Sequence, residues 1–356
     1  MRKAFLATAM CLLLSAAFGL SSNIATASVA ETRNAPVAQL ELTVSEQMLL
    51  SWTAITNATG YTIYHAIVPE PVDSEVWTLL TTLPSGTLSY QLSPELARDF
   101  FYVCATMPEQ DNLILVAGGT FNNGTSDVTL SSFYMDKYEL TQAEYQAVMG
   151  SNPASGYGVG STNPVYYVSW FNAIEYCNRR SMQEALTPCY TYSIYGTNPD
   201  TWPLGWNTNH NNRANVSCNW TVSGYRLPSE MQWMFAAKGG NQTQGYTYSG
   251  SNDITAVAWY SSNADYSTHP VGGKLANELG FFDMSGNVYE LCWDNNGSYA
   301  NTPQTNPTGS AGGDSCIIRG GSFTHYPNSC TVEYRAHDSV TTSIYYMGFR
   351  VCRISP

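Results

Sequence analysis

Three stretches of the long C-terminal part carry a helical hydrophobic pattern, and each is stopped early. In YELTQAEYQAVMG, Thr141 and Glu144 have capping-box spacing, which predicts a helix to about Met149 that stops near Gly150. VSWFNAIEYCNRRS predicts a second amphipathic helix capped by Ser169. In GYRLPSEMQWMFAAKGG, Pro228 precedes a Ser229 cap and Gly239-Gly240 ends the helix. Between them lie short apolar runs and long loops of Asn, Ser, Tyr and Gly. Few helices in much irregular chain predict an α+β layout.

The preceding part reads differently. Residues 37–108 alternate with a period of two, with turn residues every ten or so positions. Leu50-Ser-Trp52, Tyr61 to His65 and Phe101 to Ala105 predict strands of a small all-β sandwich, with Trp52, Phe101, Val103 and Ala105 facing its interior. His65 reads as a strand-face residue. The pieces ATGYTIYHA and DFFYVCAT, with Trp52, resemble a fibronectin type III domain. That resemblance implies a spacer or adhesion module.

Ahead of both lies MRKAFLATAMCLLLSAAFGLSSNIATA. Two basic residues, an apolar run and small residues at Ala25-Thr26-Ala27 are the pattern of a secretory signal peptide over 1–27. The run is short for a membrane span and breaks into Ser-Ser-Asn. Removal of Arg2 and Lys3 leaves 13 basic against 27 acidic residues, a net charge of −14. No basic cluster suits nucleic acid. Of the nine cysteines, eight remain without Cys11, an even number that fits disulfides outside the cytoplasm. The expected location is secreted, periplasmic or cell-surface, and the expected partner a protein or glycan ligand.

Six phrases in order, GGTF, VSWFNAIEYC, GYRLPSEMQW, GFFDMSGNVYEL, RGGSF and MGFRVC, resemble the formylglycine-generating enzyme or sulfatase-modifying factor family across residues 113–354. The resemblance implies a C-type lectin-like fold. It also implies a disulfide between Cys177 and Cys352. Cys189 and Cys218 are open as a second pair, closing a loop of about thirty residues and contributing about 3 kcal/mol. Cys104, Cys292, Cys316 and Cys330 have no assigned partners.

In FFDMSGNVYELCWD, Asp283 and Glu290 flank a bend at Gly286, and hard oxygen donors around a turn suit Ca²⁺. Spacing alone leaves open two exposed acids at a strand edge. The resemblance implies a structural calcium held by the side chains of Asp283 and Glu290 and the carbonyls of Gly286 and Val288. It also implies a copper-dependent oxidase acting on sulfatase cysteines, with two thiolates holding Cu(I). Counted from the Arg-Gly-Gly-Ser turn, the first thiolate position is His325 and the second is Cys330. One thiol is missing, so copper and the oxidase reading are disfavoured, and Cys330 is the single candidate catalytic residue. No Asp or Glu is obviously placed to complete a triad with Ser322.

Residues 323–346, FTHYPNSCTVEYRAHDSVTTSIYY, read as a surface. Tyr gives contact area at low entropy cost, and Ser and Thr give adaptable hydrogen bonds. The expected ligand contacts are Phe323, Thr324, His325, Tyr326, Thr342, Ile344, Tyr345 and Tyr346. Some members of this fold family look like variable proteins of diversity-generating retroelements, in which Asn codons of the form AAY become NNY. NNY codons cannot encode Lys, Glu, Gln, Met or Trp, and only Glu333 in this run breaks that restriction. An ordinary polar lectin-fold loop gives a similar short bias, so a fixed binding surface stays open beside a diversified one.

Overall fold

A computed structural model describes residues 10–15, 42–44, 49–52, 60–66, 78–84, 87–92, 100–106, 112–309 and 313–355. The chain forms two units, divided after Asp111.

Among the described residues the first unit holds seven strands: β1 (Met10–Ser15), β2 (Leu42–Val44), β3 (Leu49–Trp52), β4 (Gly60–Ala66), β5 (Thr78–Pro84), β6 (Ser89–Gln91) and β7 (Phe100–Thr106). They pair antiparallel as two sheets, β1-β7-β4-β5 and β2-β3-β6. The three expected strands are β3, β4 and β7. Leu50 of one sheet and Ile63 of the other are fully buried. The expected inward side chains of Trp52, Phe101, Val103 and Ala105 lie outside the described residues, as does the thiol of Cys104. β1 falls inside the expected leader, and it pairs with β7 from Met10 opposite Ala105 to Ser15 opposite Phe100.

In the second unit the three expected helices form, with their caps. α1 (Gln142–Met149) has the Thr141–Glu144 capping box and ends at a left-handed Gly150. α2 (Trp170–Gln183) is capped by Ser169 with Asn172, and α3 (Glu230–Ala237) by Ser229 with Gln232. A one-turn α4 (Ile254–Val257) is added. Among the described residues no helix is long and apolar enough to cross a membrane.

The strands of this unit are β8 (Leu113–Val116), β9 (Gly119–Asn122), β10 (Asp127–Leu130), β11 (Phe133–Asp136), β12 (Tyr190–Tyr192), β13 (Val216–Cys218), β14 (Tyr289–Leu291), β15 (Gln304–Thr305), β16 (Ser315–Arg319), β17 (Ala336–Ser339), β18 (Met347–Gly348) and β19 (Cys352–Ile354). They form the small sheets β19-β11-β8, β15-β10-β9, β12-β13 and β17-β16-β14-β18. Strands β14 and β16 of the last sheet are buried on both faces, as alternation along them shows. Cys316 and Ile318 of β16 pack with Trp170, Phe171 and Ile174 of α2, while Ile317 between them packs with Trp233 and Phe235 of α3. Leu291 and Cys292 divide between the same two cores. The unit is α+β, with few helices and several short sheets around two contiguous cores.

No disulfide joins the expected cysteines in this structure. Cys177, Cys189, Cys218 and Cys352 are all free thiols. They lie near one another, and burial pushes Cys189 up to about 11 and Cys352 up to about 12. The buried Arg226 sits among them, its Nη1 donating to the Cys352 Sγ at 2.7 Å.

Candidate functional site

The segment after β16 leaves the sheet through Gly320 and Gly321, both at positive φ. At Gly321 a Cβ would lie 2.6 Å from the Cys330 Sγ, so only glycine lets the returning chain pass this close. The backbone N–H of Phe323 then donates to the Asn287 carbonyl at 2.8 Å and fixes the direction of the segment beyond it.

An aromatic cluster results. Tyr157 stacks on Tyr345 with ring centroids 4.5 Å apart, and Phe323 lies 6.1 Å from both. Tyr345 meets Tyr346 edge-on at 5.1 Å. His325 is edge-on to Tyr346 at 5.1 Å and to Tyr289 at 4.8 Å. Such pairs each contribute about 0.5–1.5 kcal/mol beyond their buried area. The cluster is therefore a stiff platform, and Tyr326 stands at its side with 74% of its surface exposed.

The expected contact residues separate into groups on this platform. Thr324, His325, Tyr345 and Tyr346 are half-buried within or beside the cluster. Thr342 is tied by its Oγ1 to the Asp338 carboxylate at 2.6 Å. Ile344 leans on the α2 core. Phe323 corrects the expectation: its exposure is 0%, so it supports the face from beneath and cannot touch a ligand. Tyr157 and Tyr289 were not expected here. They lie 166 and 34 residues before Phe323 in the chain, and no local pattern marks them.

The residues for covalent chemistry are badly placed. Ser322 lies 2.6 Å from the His325 Nδ1, but it is fully buried. Burial lowers the pKa of His325, leaving it neutral at pH 7. Cys330 is also fully buried, and burial pushes its thiol up to about 12. A soft-metal ligand or nucleophile needs the thiolate, which that environment opposes.

The expected calcium loop bends at Gly286, in agreement with its spacing. Its acids are otherwise engaged. Both Glu290 oxygens accept from Arg350, each at 2.6 Å, and Oε2 also accepts from the Trp233 Nε1 at 2.7 Å. Glu139 takes the Asn287 side chain at 2.7 Å and the Val288 N–H at 2.9 Å. Asp283 accepts from the Gly272 N–H at 2.7 Å, and its other oxygen is buried without a hydrogen bond. Among the described residues no group of three or more His, Cys, Asp or Glu side chains is gathered to hold a metal ion. The donor set Asp283, Gly286, Val288 and Glu290 does not fit calcium with Glu290 committed to a guanidinium. Arg350 supplies the positive charge that pins this loop.

These acids give the fold a pH dependence. Burial raises Asp283 to about 6 and Asp294 to about 7, and raises Glu139 well above the usual range. Each folded pKa exceeds its unfolded value of roughly 4. The folded state therefore holds extra protons in the window from about pH 4 to 7, and stability falls as pH rises through it. His325 acts oppositely on the acid side, as one half-buried ring against three buried carboxyls. Thermal unfolding followed from pH 5 to pH 8 should give a higher Tm at pH 5. Asp294→Asn should flatten that slope.

A family model described as the sulfatase-modifying factor enzyme 1-like domain matches residues 102–354. The chain is 44% identical over 246 residues to the chaperone protein LppX of Paenibacillus barcinonensis, covering 63% of this chain and 82% of that protein. It is 29% identical over 158 residues to the formylglycine-generating enzyme of Streptomyces coelicolor, covering 39% of this chain and about half, 49%, of that enzyme. Among solved structures, Treponema denticola variable protein 1 superposes with a TM-score of 0.62 at 30% identity, over 68% of this chain and 95% of that one.

Proposed function

Because the chain belongs to the family of the sulfatase-modifying factor enzyme 1-like domain, we propose that it uses that fold to bind a polypeptide ligand outside the cytoplasm rather than to oxidise cysteines. The observation that carries this reading is the aromatic face built from His325, Tyr345 and Tyr346 around Tyr157 and Tyr289, with Tyr326 exposed beside it. Rigid Tyr rings with Thr and Ser between them are the makeup of an adaptable protein-binding surface. By the family resemblance His325 stands where an oxidase would carry its first copper thiolate, and its ring packs against Tyr289 and Tyr346. Similarity to a protein named variable protein supports variation along 323–346, and similarity to a protein named chaperone supports a polypeptide as the ligand.

Sequencing of the region encoding residues 300–356 across many clones of the source population tests the variable form. Substitutions should fall in NNY codons at exposed and half-buried positions of 323–346, while the buried Phe323, Cys330, Val332 and Val340 stay apolar. An invariant region would leave a fixed binding surface. Incubation with Cu(I), O₂ and a Cys-x-Pro-x-Arg peptide tests the enzyme reading. The thiol should persist by mass spectrometry, and an aldehyde product would overturn the binding assignment.

A further inference from the structure

A cavity of about 230 Å³ lies between the Asn123 turn, the first residue of α3 and the loop 294–309. None of its lining residues belongs to the aromatic face, so a ligand held here is independent of any polypeptide bound there. Two buried carboxylates line it. Glu230, 2% exposed, uses one oxygen for everything: Oε1 accepts from the Arg319 Nε at 3.0 Å, the Arg319 Nη2 at 2.9 Å, the Arg335 Nε at 2.7 Å and the Tyr299 hydroxyl at 2.8 Å. Among the described residues nothing donates to its Oε2. Asp294, 3% exposed, accepts the Glu230 N–H through Oδ2 at 2.8 Å, and among the described residues nothing donates to its Oδ1. Both residues line the cavity, and each keeps one carboxylate oxygen free of any donor among the described residues.

The cavity is kept open at one point by a glycine. Gly309 has φ +78°, and a Cβ there would lie 2.9 Å from the Asp294 Oδ1. The surroundings carry both signs: Arg319 and Arg335 sit at Glu230, and Arg213 lies near Asp294, whose carboxyl burial raises to about 7. A hydroxyl suits such a lining because it both donates to a carboxylate and accepts from a guanidinium or a protonated carboxyl. Asn123, Arg335 and the ring edges of Tyr299 complete a mixed polar and apolar wall. The volume is below the roughly 300 Å³ lower end for drug-sized ligands, so it suits one ring and not a chain.

We propose that this cavity binds a neutral, hydroxyl-rich molecule of single-sugar size, whose hydroxyls donate to the Asp294 Oδ1 and the Glu230 Oε2. Such a molecule comes either free or as the terminal residue of a glycan. The test titrates the full chain with D-glucose, D-mannose, D-galactose and N-acetyl-D-glucosamine by saturation-transfer NMR, and in parallel with the same sugars immobilised as glycan termini. Putrescine and acetate serve as charged controls. At least one sugar should bind, the controls should not displace it, and Asp294→Asn should weaken it tenfold or more. Gly309→Ala, which fills the approach from the other side, should do the same, with thermal scans confirming that both variants fold. Binding to free sugars or only to immobilised ones would support the site and identify the source. No binding by any sugar, displacement by putrescine or acetate, or binding insensitive to both substitutions would overturn it.

Discussion

Arg350→Ala should unfold the second unit, or bring it close to unfolding, at neutral pH. Arg350 is fully buried and joins three distant pieces of chain. It holds Glu290 by both oxygens, takes the Asp136 carbonyl at 3.0 Å and the Lys137 carbonyl at 3.2 Å, and reaches the Phe282 carbonyl at 2.9 Å. Without it, Glu290 is a buried anion beside Glu139 and Asp283, with no cation to face. Breaking a buried pair in this way costs about 3–5 kcal/mol, against a total stability of roughly 5–15 kcal/mol for a domain. Arg350→Lys cannot reproduce the two-pronged contact and should recover only part of the loss. Lower pH should rescue Arg350→Ala in part, because protonation removes the stranded charges. Urea titration at pH 7.5 and pH 5.5 measures both effects. A midpoint for Arg350→Ala within error of the unsubstituted protein at pH 7.5 would sink this account.

The second large effect separates support from contact within 323–346. Phe323→Ala removes a buried ring packed against both Tyr157 and Tyr345 and should cost about 3–5 kcal/mol of stability. Tyr326→Ala removes an exposed ring and should leave stability within about 0.5 kcal/mol. Ligand binding should respond in the opposite sense. Tyr326→Ala and Tyr346→Ala should each weaken capture of a polypeptide ligand by about thirtyfold, the loss of a central interface aromatic worth about 2 kcal/mol. Thermal melts paired with a pull-down from the source organism's extracellular fraction give both readouts. If Tyr326→Ala melts early and binds normally, the face is core and the ligand surface lies elsewhere.

The sequence was most informative where structure is local. The caps at Thr141, Ser169 and Ser229 are decided within four residues, and all three helices begin where those residues predict. It was least informative where a side chain's partner is far away. Asp283 and Glu290 look like a calcium pair because nothing near them shows that Arg350, sixty residues beyond Glu290, already holds the latter. Nothing near Cys352 in the sequence shows the Arg226 guanidinium against its sulfur. Phe323 looks like a contact because composition reports which residues a segment has, not which way they point. Tyr157 and Tyr289 escaped notice for the same reason. Glu230 reads as the first residue of a capped helix, and only the folded chain brings Arg319, Arg335 and Tyr299 onto one of its oxygens.

The pairing of β19 with β11 has a consequence for how a cell makes this protein. Met135 lies opposite Cys352, so an early strand of the second unit waits more than two hundred residues for its neighbour. Arg350 arrives at the same late moment. A ribosome still elongating therefore carries an unclosed sheet edge and three carboxyls awaiting their counter-charge. Contacts between such distant parts of a chain form slowly, and open edges invite mispairing in the interval. Closure of this unit waits until the residues of β19 have been made, and a chain cut before Arg350 lacks both that strand and the buried cation.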